Sequence, residues 1–100
     1  MLKVFAPVVK SDEVLAISGD SKALGEWNPK KALVLNSSNF PEWEIALDKE
    51  DVKTPFNYKF LILKKGAKKE VVAWEYSDNR QFLMNVPADT VVEISGMMFN

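Results

Sequence analysis

Residues 56–63, Phe-Asn-Tyr-Lys-Phe-Leu-Ile-Leu, constrain this chain more than any other stretch. Phe56, Tyr58, Phe60 and Ile62 fall at every second position, and a period of two is that of a β-strand. They share one face, read as the core face, and Asn57 and Lys59 therefore point the other way. Such a strand needs partners. The sequence supplies short runs at 2–6, 14–18, 32–35, 42–47, 71–74, 81–85 and 90–95. Turn chemistry separates them in Ser18-Gly19-Asp20, Asn28-Pro29, Asn36-Ser37-Ser38-Asn39, Lys65-Gly66, Ser77-Asp78-Asn79 and Pro87-Ala88-Asp89. There is no heptad and no repeat, and Ser21-Lys22-Ala23-Leu24 offers one helical turn at most. Short strands at this spacing predict an all-β sandwich or barrel. Within 42–47, Trp43, Ile45 and Leu47 share a face opposite Glu42, Glu44 and Ala46, so Trp43 is predicted to be a core tryptophan.

One hundred residues make one domain, spanning 1–100. With 13 basic and 14 acidic side chains the formal net charge is −1, which gives no electrostatic footprint for nucleic acid or an anionic membrane. No apolar run is long enough to span a bilayer, and residues 1–7 lack the pattern of a signal peptide. Neither Cys nor His occurs. Disulfides, thiol chemistry and Cys-ligated metal are thereby excluded, as are imidazole bases and ligands. An enzyme would have to work with carboxylates, lysines or hydroxyls. The close acidic pairs, Glu42/Glu44 and Glu50/Asp51, read as solvated surface: one lies on the outer face of a strand and the other in a polar turn. No residue is read as catalytic, none as a metal ligand, and no cofactor is expected. The run Lys64-Lys65-Gly66-Ala67-Lys68-Lys69 reads as a solvated hairpin tip that protects a sheet edge, because no aromatic residue interleaves with its lysines.

Two tryptophans escape the core pattern. Trp27 lies between turn signals in Leu24-Gly25-Glu26-Trp27-Asn28-Pro29, and Trp74 ends a strand in Ala73-Trp74-Glu75-Tyr76-Ser77-Asp78-Asn79-Arg80. Periodicity alone favours burial for both, since small β-domains commonly use Trp as core filler.

Several segments, in order and over nearly the whole chain, resemble the starch-binding domains of carbohydrate-binding module family 20. Leu15-Ala16-Ile17-Ser18-Gly19-Asp20 is similar to the family's first long strand and its glycine turn. Leu24-Gly25-Glu26-Trp27 with Ala32-Leu33-Val34-Leu35 is similar to its Leu-Gly-x-Trp and Ala-Leu strand. Pro41-Glu42-Trp43, Phe56-Asn57-Tyr58-Lys59-Phe60 and Trp74-Glu75-Tyr76-Ser77-Asp78-Asn79-Arg80 resemble its Pro-x-Trp, Phe-x-Tyr-Lys-Phe and Trp-Glu-x-x-x-Asn-Arg segments.

The resemblance implies an immunoglobulin-like antiparallel β-sandwich of seven to eight strands. It implies a carbohydrate-binding site in which Trp27 and Trp74 are exposed and stack on glucose rings, while Lys59 and Asn79 hydrogen-bond hydroxyls. The stacking is chemically sensible, because an indole presents a flat, negative π-face to the C–H-rich face of a sugar. Glu75 and Arg80 are read as fixing the turn by charge-assisted hydrogen bonds. The family often has a second site, but the aromatic it uses near Ser11 is missing, and Phe40, near the other position, has no hydroxyl. A full second site is not expected, and Phe40 is its remaining candidate.

The function implied is non-catalytic binding of α-1,4-glucans (starch, glycogen, maltooligosaccharide, cyclodextrin) by a domain that tethers a covalently attached amylolytic enzyme to its substrate. The chain would then be a piece of a longer protein. Its lack of Cys and of a signal segment leans toward a cytoplasmic 4-α-glucanotransferase. An immunoglobulin-like protein-interaction or spacer domain is the alternative, which burial of Trp27 and Trp74 would favour. A small carboxylate enzyme is a third, which would need two carboxyls about 5–9.5 Å apart in a cleft.

Overall fold

Strand β6 (Phe56–Lys64) follows the alternation: Phe56, Tyr58, Phe60 and Ile62 are all buried in the main core. The computed structural model describes residues 1–47, 55–66, 69–76, 78–82, 91–95 and 99. The other strands among them are β1 (Leu2–Phe5), β2 (Glu13–Gly19), β3 (Leu33–Val34), β4 (Asn36–Asn39), β5 (Glu42–Ile45), β7 (Val71–Trp74), β8 (Arg80–Phe82) and β9 (Val92–Ile94). They form two sheets, one in the order β4-β5-β1-β9 and one in the order β3-β2-β6-β7, with β8 also paired to β6. All these pairs are antiparallel except β1 with β9, which is parallel.

The two sheets close on one core. Leu2, Val4 and Trp43 face it from the first sheet; Leu15, Ile17 and the inward residues of β6 face it from the second. Trp43 is 3% exposed, and its indole N–H donates to the Ala6 carbonyl at 3.3 Å. Ile45 and Leu47 pack against the same cluster, as the alternation of 42–47 requires. The fold is thus the expected sandwich, with nine strands among the described residues against the seven to eight predicted. The addition is Asn36–Asn39, read from sequence as a turn. Asn is depleted in strands, yet here a fully exposed edge segment pairs with β5 across a register shift, where side-chain packing is not needed. The predicted helical turn is present as a 3₁₀ turn over Lys22–Leu24, and a second occupies Pro29–Lys31, capped by the Asn28 side chain, which accepts from the Lys30 N–H at 3.0 Å. Residues 83–85 and 90 of the last two predicted strands, the Pro87-Ala88-Asp89 turn and the Glu50/Asp51 pair lie outside the described residues.

Strand β6 is also covered on its outer side. Leu61 and Leu63 form a second small cluster with Ala16 and Ala32, against which Val14 and Trp74 pack. Ala32 reaches it at the end of the loop that follows β2, so this loop folds over the outer face of the sheet. Gly19 makes the start of that loop feasible. A Cβ there would collide with the Asn57 carbonyl and stand 2.8 Å from the Leu24 side chain. The Asp20 carboxylate then accepts from the Asn57 backbone N–H and side-chain amide, both at 3.1 Å, fixing the loop to the start of β6.

Strands β7 and β8 pair with the same edge of β6, at Leu61–Leu63 and at Phe56–Tyr58 respectively. Phe60 lies in the gap between them. Its carbonyl accepts from the Glu75 N–H at 3.0 Å, and its own N–H donates to the Glu75 carboxylate at 3.3 Å. Glu75 is 4% exposed, and Arg80 neutralises it with contacts of 2.8 Å from Nε and 2.7 Å from a terminal nitrogen. This is the turn-fixing role read for the pair from sequence.

Two outcomes follow for stability, both measured by equilibrium urea unfolding. Trp43→Ala should cost roughly 3–5 kcal/mol through the cavity it leaves. Glu75→Ala should cost about 2–3 kcal/mol, somewhat below a fully buried pair because the Arg80 side chain is 31% exposed. Glu75→Gln, which keeps an acceptor for the Phe60 N–H, should cost less. An unchanged midpoint in Glu75→Ala would show that the carboxylate is not needed in the gap.

Candidate carbohydrate-binding site

On β6 the outward residues change character along the strand. Leu61 and Leu63 are buried under the second cluster, whereas Lys59 remains half-exposed. In the register, Lys59 stands opposite Ser18 of β2, and Leu61 stands opposite Trp74 of β7. Strands β2 and β7 flank β6, roughly 10 Å apart. Lys59 therefore has Ser18 of β2 on one side and, a step along β6 on the other, Trp74 of β7.

Beyond the end of β2 lies the Trp27 loop, and its backbone is unusual. Gly25, Glu26 and Trp27 have φ of 83°, 51° and 68°, three successive residues in the left-handed region. Glycine adopts this freely, but a side chain as large as indole does so only under constraint, at a cost of about 1–3 kcal/mol per residue. The constraint is visible. The Trp27 N–H donates to the Gly19 carbonyl at 2.9 Å and the Glu26 N–H to the Ser21 carbonyl at 3.2 Å. Ser18, buried beneath the loop, donates from its hydroxyl to the Leu24 carbonyl at 3.4 Å. Lys69, from the β6–β7 connection, donates to the Lys30 carbonyl at 3.2 Å and joins that connection to the same loop.

Trp27 and Trp74 are each half-buried. Periodicity had favoured full burial of both, and neither is fully buried. Trp74 rests on the second cluster and lines a groove; Trp27 belongs to a loop, to which strand periodicity does not apply. Trp74 and Lys59 line one open groove, together with residues 71–73, Glu75, Tyr76 and Asp78. Asn79 follows at once, exposed, one step before the Arg80–Tyr58 pair. Trp27 is not part of that lining and stands on the loop at the end of β2. Residues 71–73, Tyr76 and Asp78 line the groove without having been read as site residues; Tyr76 is the aromatic among them, and its place two positions after Trp74 was its available signal.

Phe40 is 52% exposed and meets Trp43 edge-on at 6.2 Å. It borders a separate depression with Val9, Lys10, Ser11, Glu13, Ser37 and Lys65, which shares no residue with the first groove. Ser11 is on its rim, where the missing aromatic was noted. Two sets of ion pairs lie elsewhere on the described surface. Lys3 stands 3.7 Å from Glu42 and 3.9 Å from Glu44 on an outer sheet face, and Lys64 stands 2.9 Å from Asp12. The Lys64 hydrogen bond and charge hold the Asp12 carboxyl below its ordinary range.

Comparison with known proteins agrees with this fold. The chain is similar to Glucoamylase-1 of Schizophyllum commune (strain H4-8 / FGSC 9210), with 29% identity over 79 residues, which are 79% of this chain and 13% of that protein. It thus spans a small part of the curated relative it matches. Among solved structures it resembles the family 20 carbohydrate-binding module of the maltotetraose-forming amylase from Pseudomonas saccharophila STB07, with a TM-score of 0.71, 23% identity and coverage of 95% of this chain and 96% of that one. It also resembles the γ-CGTase of the alkalophilic Bacillus clarkii, with a TM-score of 0.64, 20% identity and coverage of 94% of this chain and 14% of that one. The family described as Starch binding domain matches residues 1–93, and the chain accordingly belongs to that family, carbohydrate-binding module family 20.

Proposed function

We propose that this domain binds α-1,4-glucan chains such as starch, glycogen or maltodextrin through Trp27, Trp74, Lys59 and Asn79, and holds an attached amylolytic enzyme against that polymer. The observation that supports it most is the open groove shared by Trp74 and Lys59, beside a loop whose strained backbone presents Trp27. Strain of this kind concentrates at functional sites. Two flat rings on separate elements suit a curved α-glucan better than one plane would. Lys59 supplies donors, and Asn79 supplies both donors and acceptors, for vicinal hydroxyls. An open site of this sort gives modest affinity, roughly micromolar to millimolar. Phe40, over its own depression, is read as a weak second contact. The attached enzyme is read as a cytoplasmic 4-α-glucanotransferase, supported by the absence of Cys from all 100 residues. The spacer reading has less support, since neither Trp27 nor Trp74 is fully buried.

Calorimetry with maltoheptaose and β-cyclodextrin tests the site. Trp27→Ala and Trp74→Ala should each lose about 2 kcal/mol or more of binding free energy. Lys59→Ala and Asn79→Ala should lose about 0.5–1.5 kcal/mol as single hydrogen bonds in a wet site. Cellohexaose, a straight β-linked chain, should bind far more weakly than maltohexaose. Unchanged affinity in both tryptophan variants, or equal binding of the two hexaoses, would favour the spacer reading.

A further inference from the structure

Tyr76 is the most exposed large hydrophobic side chain among the described residues, at 64%. Its phenol has no hydrogen-bond partner and its ring no aromatic neighbour among them. It nevertheless stands in an ordered relation to the groove. From Val72 to Tyr76 exposure alternates: Val72, Trp74 and Tyr76 face outward, and Ala73 and Glu75 are buried. Trp74 ends β7 and Tyr76 lies two residues beyond it, so their backbones stand at most about 7 Å apart. Glu75 is pinned to Phe60 and Arg80, so the backbone that presents Tyr76 is fixed on one side. Tyr76 and Trp74 line the same groove, with Lys59 and Asp78 beside them. The Trp-Glu-x-x-x-Asn-Arg pattern leaves position 76 open, so nothing in that pattern accounts for an aromatic there.

We propose that Tyr76 extends the glucan groove by a further sugar-stacking surface, so that the domain grips a longer run of α-glucan than Trp27 and Trp74 reach. The inference rests on the reading of Trp74 and Lys59 as glucan contacts. The occupant is the same polysaccharide chain, because the groove continues without a break from Trp74 to Tyr76. Its mixture of aromatic, ammonium and carboxylate groups suits a ligand with C–H faces and many hydroxyls. Tyr76 thereby sets a chain-length preference and leaves the choice of α-linkage to the two tryptophans.

Calorimetric titration of maltotriose, maltopentaose and maltoheptaose into the wild-type chain and the Tyr76→Ala, Tyr76→Phe and Trp74→Ala variants separates this inference from the reading beneath it. Tyr76→Ala should bind maltotriose as the wild type does and should lose about three- to tenfold in affinity for maltoheptaose. Tyr76→Phe should match the wild type at every length, since stacking needs the ring and not the hydroxyl. Trp74→Ala should lose affinity at every length. Thermal unfolding of Tyr76→Ala should match the wild type, because the side chain is exposed. If Tyr76→Ala keeps full affinity for maltoheptaose while Trp74→Ala loses it, the extension is wrong and the site stands. A Tyr76→Ala loss of equal size at all three lengths also overturns the extension. If Trp74→Ala binds as the wild type does, the site reading fails and the extension with it.

Discussion

Phe60 occupies the gap along one edge of β6 where β7 has ended and β8 has not yet begun, and its backbone N–H donates there to the carboxylate of Glu75. An amide left unpaired in a sheet interior costs about 1–3 kcal/mol, and a carboxylate left unpaired costs more. Arg80 removes the second problem by pairing with the same carboxylate. The segment from Trp74 to Arg80 is thereby tied at both ends to β6. Within that segment Trp74, Tyr76 and Asp78 line one groove with Lys59. A structural ion pair at the edge of β6 thus fixes the backbone on which Trp74 and Tyr76 stand.

The Trp27 loop depends on a different constraint. Gly19 lets the loop after β2 pass close to Asn57 and Leu24, and the Trp27 N–H is then drawn to the Gly19 carbonyl. The left-handed run at 25–27 is held in place by these contacts. Ala32 anchors the far end of the loop on Leu61 and Leu63. Both elements therefore rest on β6, which is buried on its inner side by aromatic packing and covered on its outer side at Leu61 and Leu63 by the second cluster.

Much of this was legible in the sequence, for reasons that can be named. The alternation of Phe56, Tyr58, Phe60 and Ile62 gave the central strand because its inner face is wholly buried. Trp43 read as core because Ile45 and Leu47 share its face. The pattern could not show that Leu61 and Leu63 are buried on the other side, since their cover, Ala32, comes from a loop distant in sequence. Asn36–Asn39 escaped because an exposed edge strand needs no apolar residues. The left-handed Glu26 and Trp27 escaped because Gly25 alone among the three advertises that conformation. Trp27 and Trp74 were ambiguous to periodicity because each is half-buried, resting on the protein with one part and open with another.

The central claim is that Trp27 and Trp74 touch the glucan while Trp43 serves the core. The three indole N–H resonances of the chain report on these positions separately, and a titration with β-cyclodextrin followed by nuclear magnetic resonance tests the claim directly. The Trp27 and Trp74 signals should shift and saturate together, while that of Trp43, bound to the Ala6 carbonyl, should stay in place. Saturable binding that leaves the Trp27 and Trp74 signals unmoved, with shifts confined to the depression beside Phe40, would contradict it.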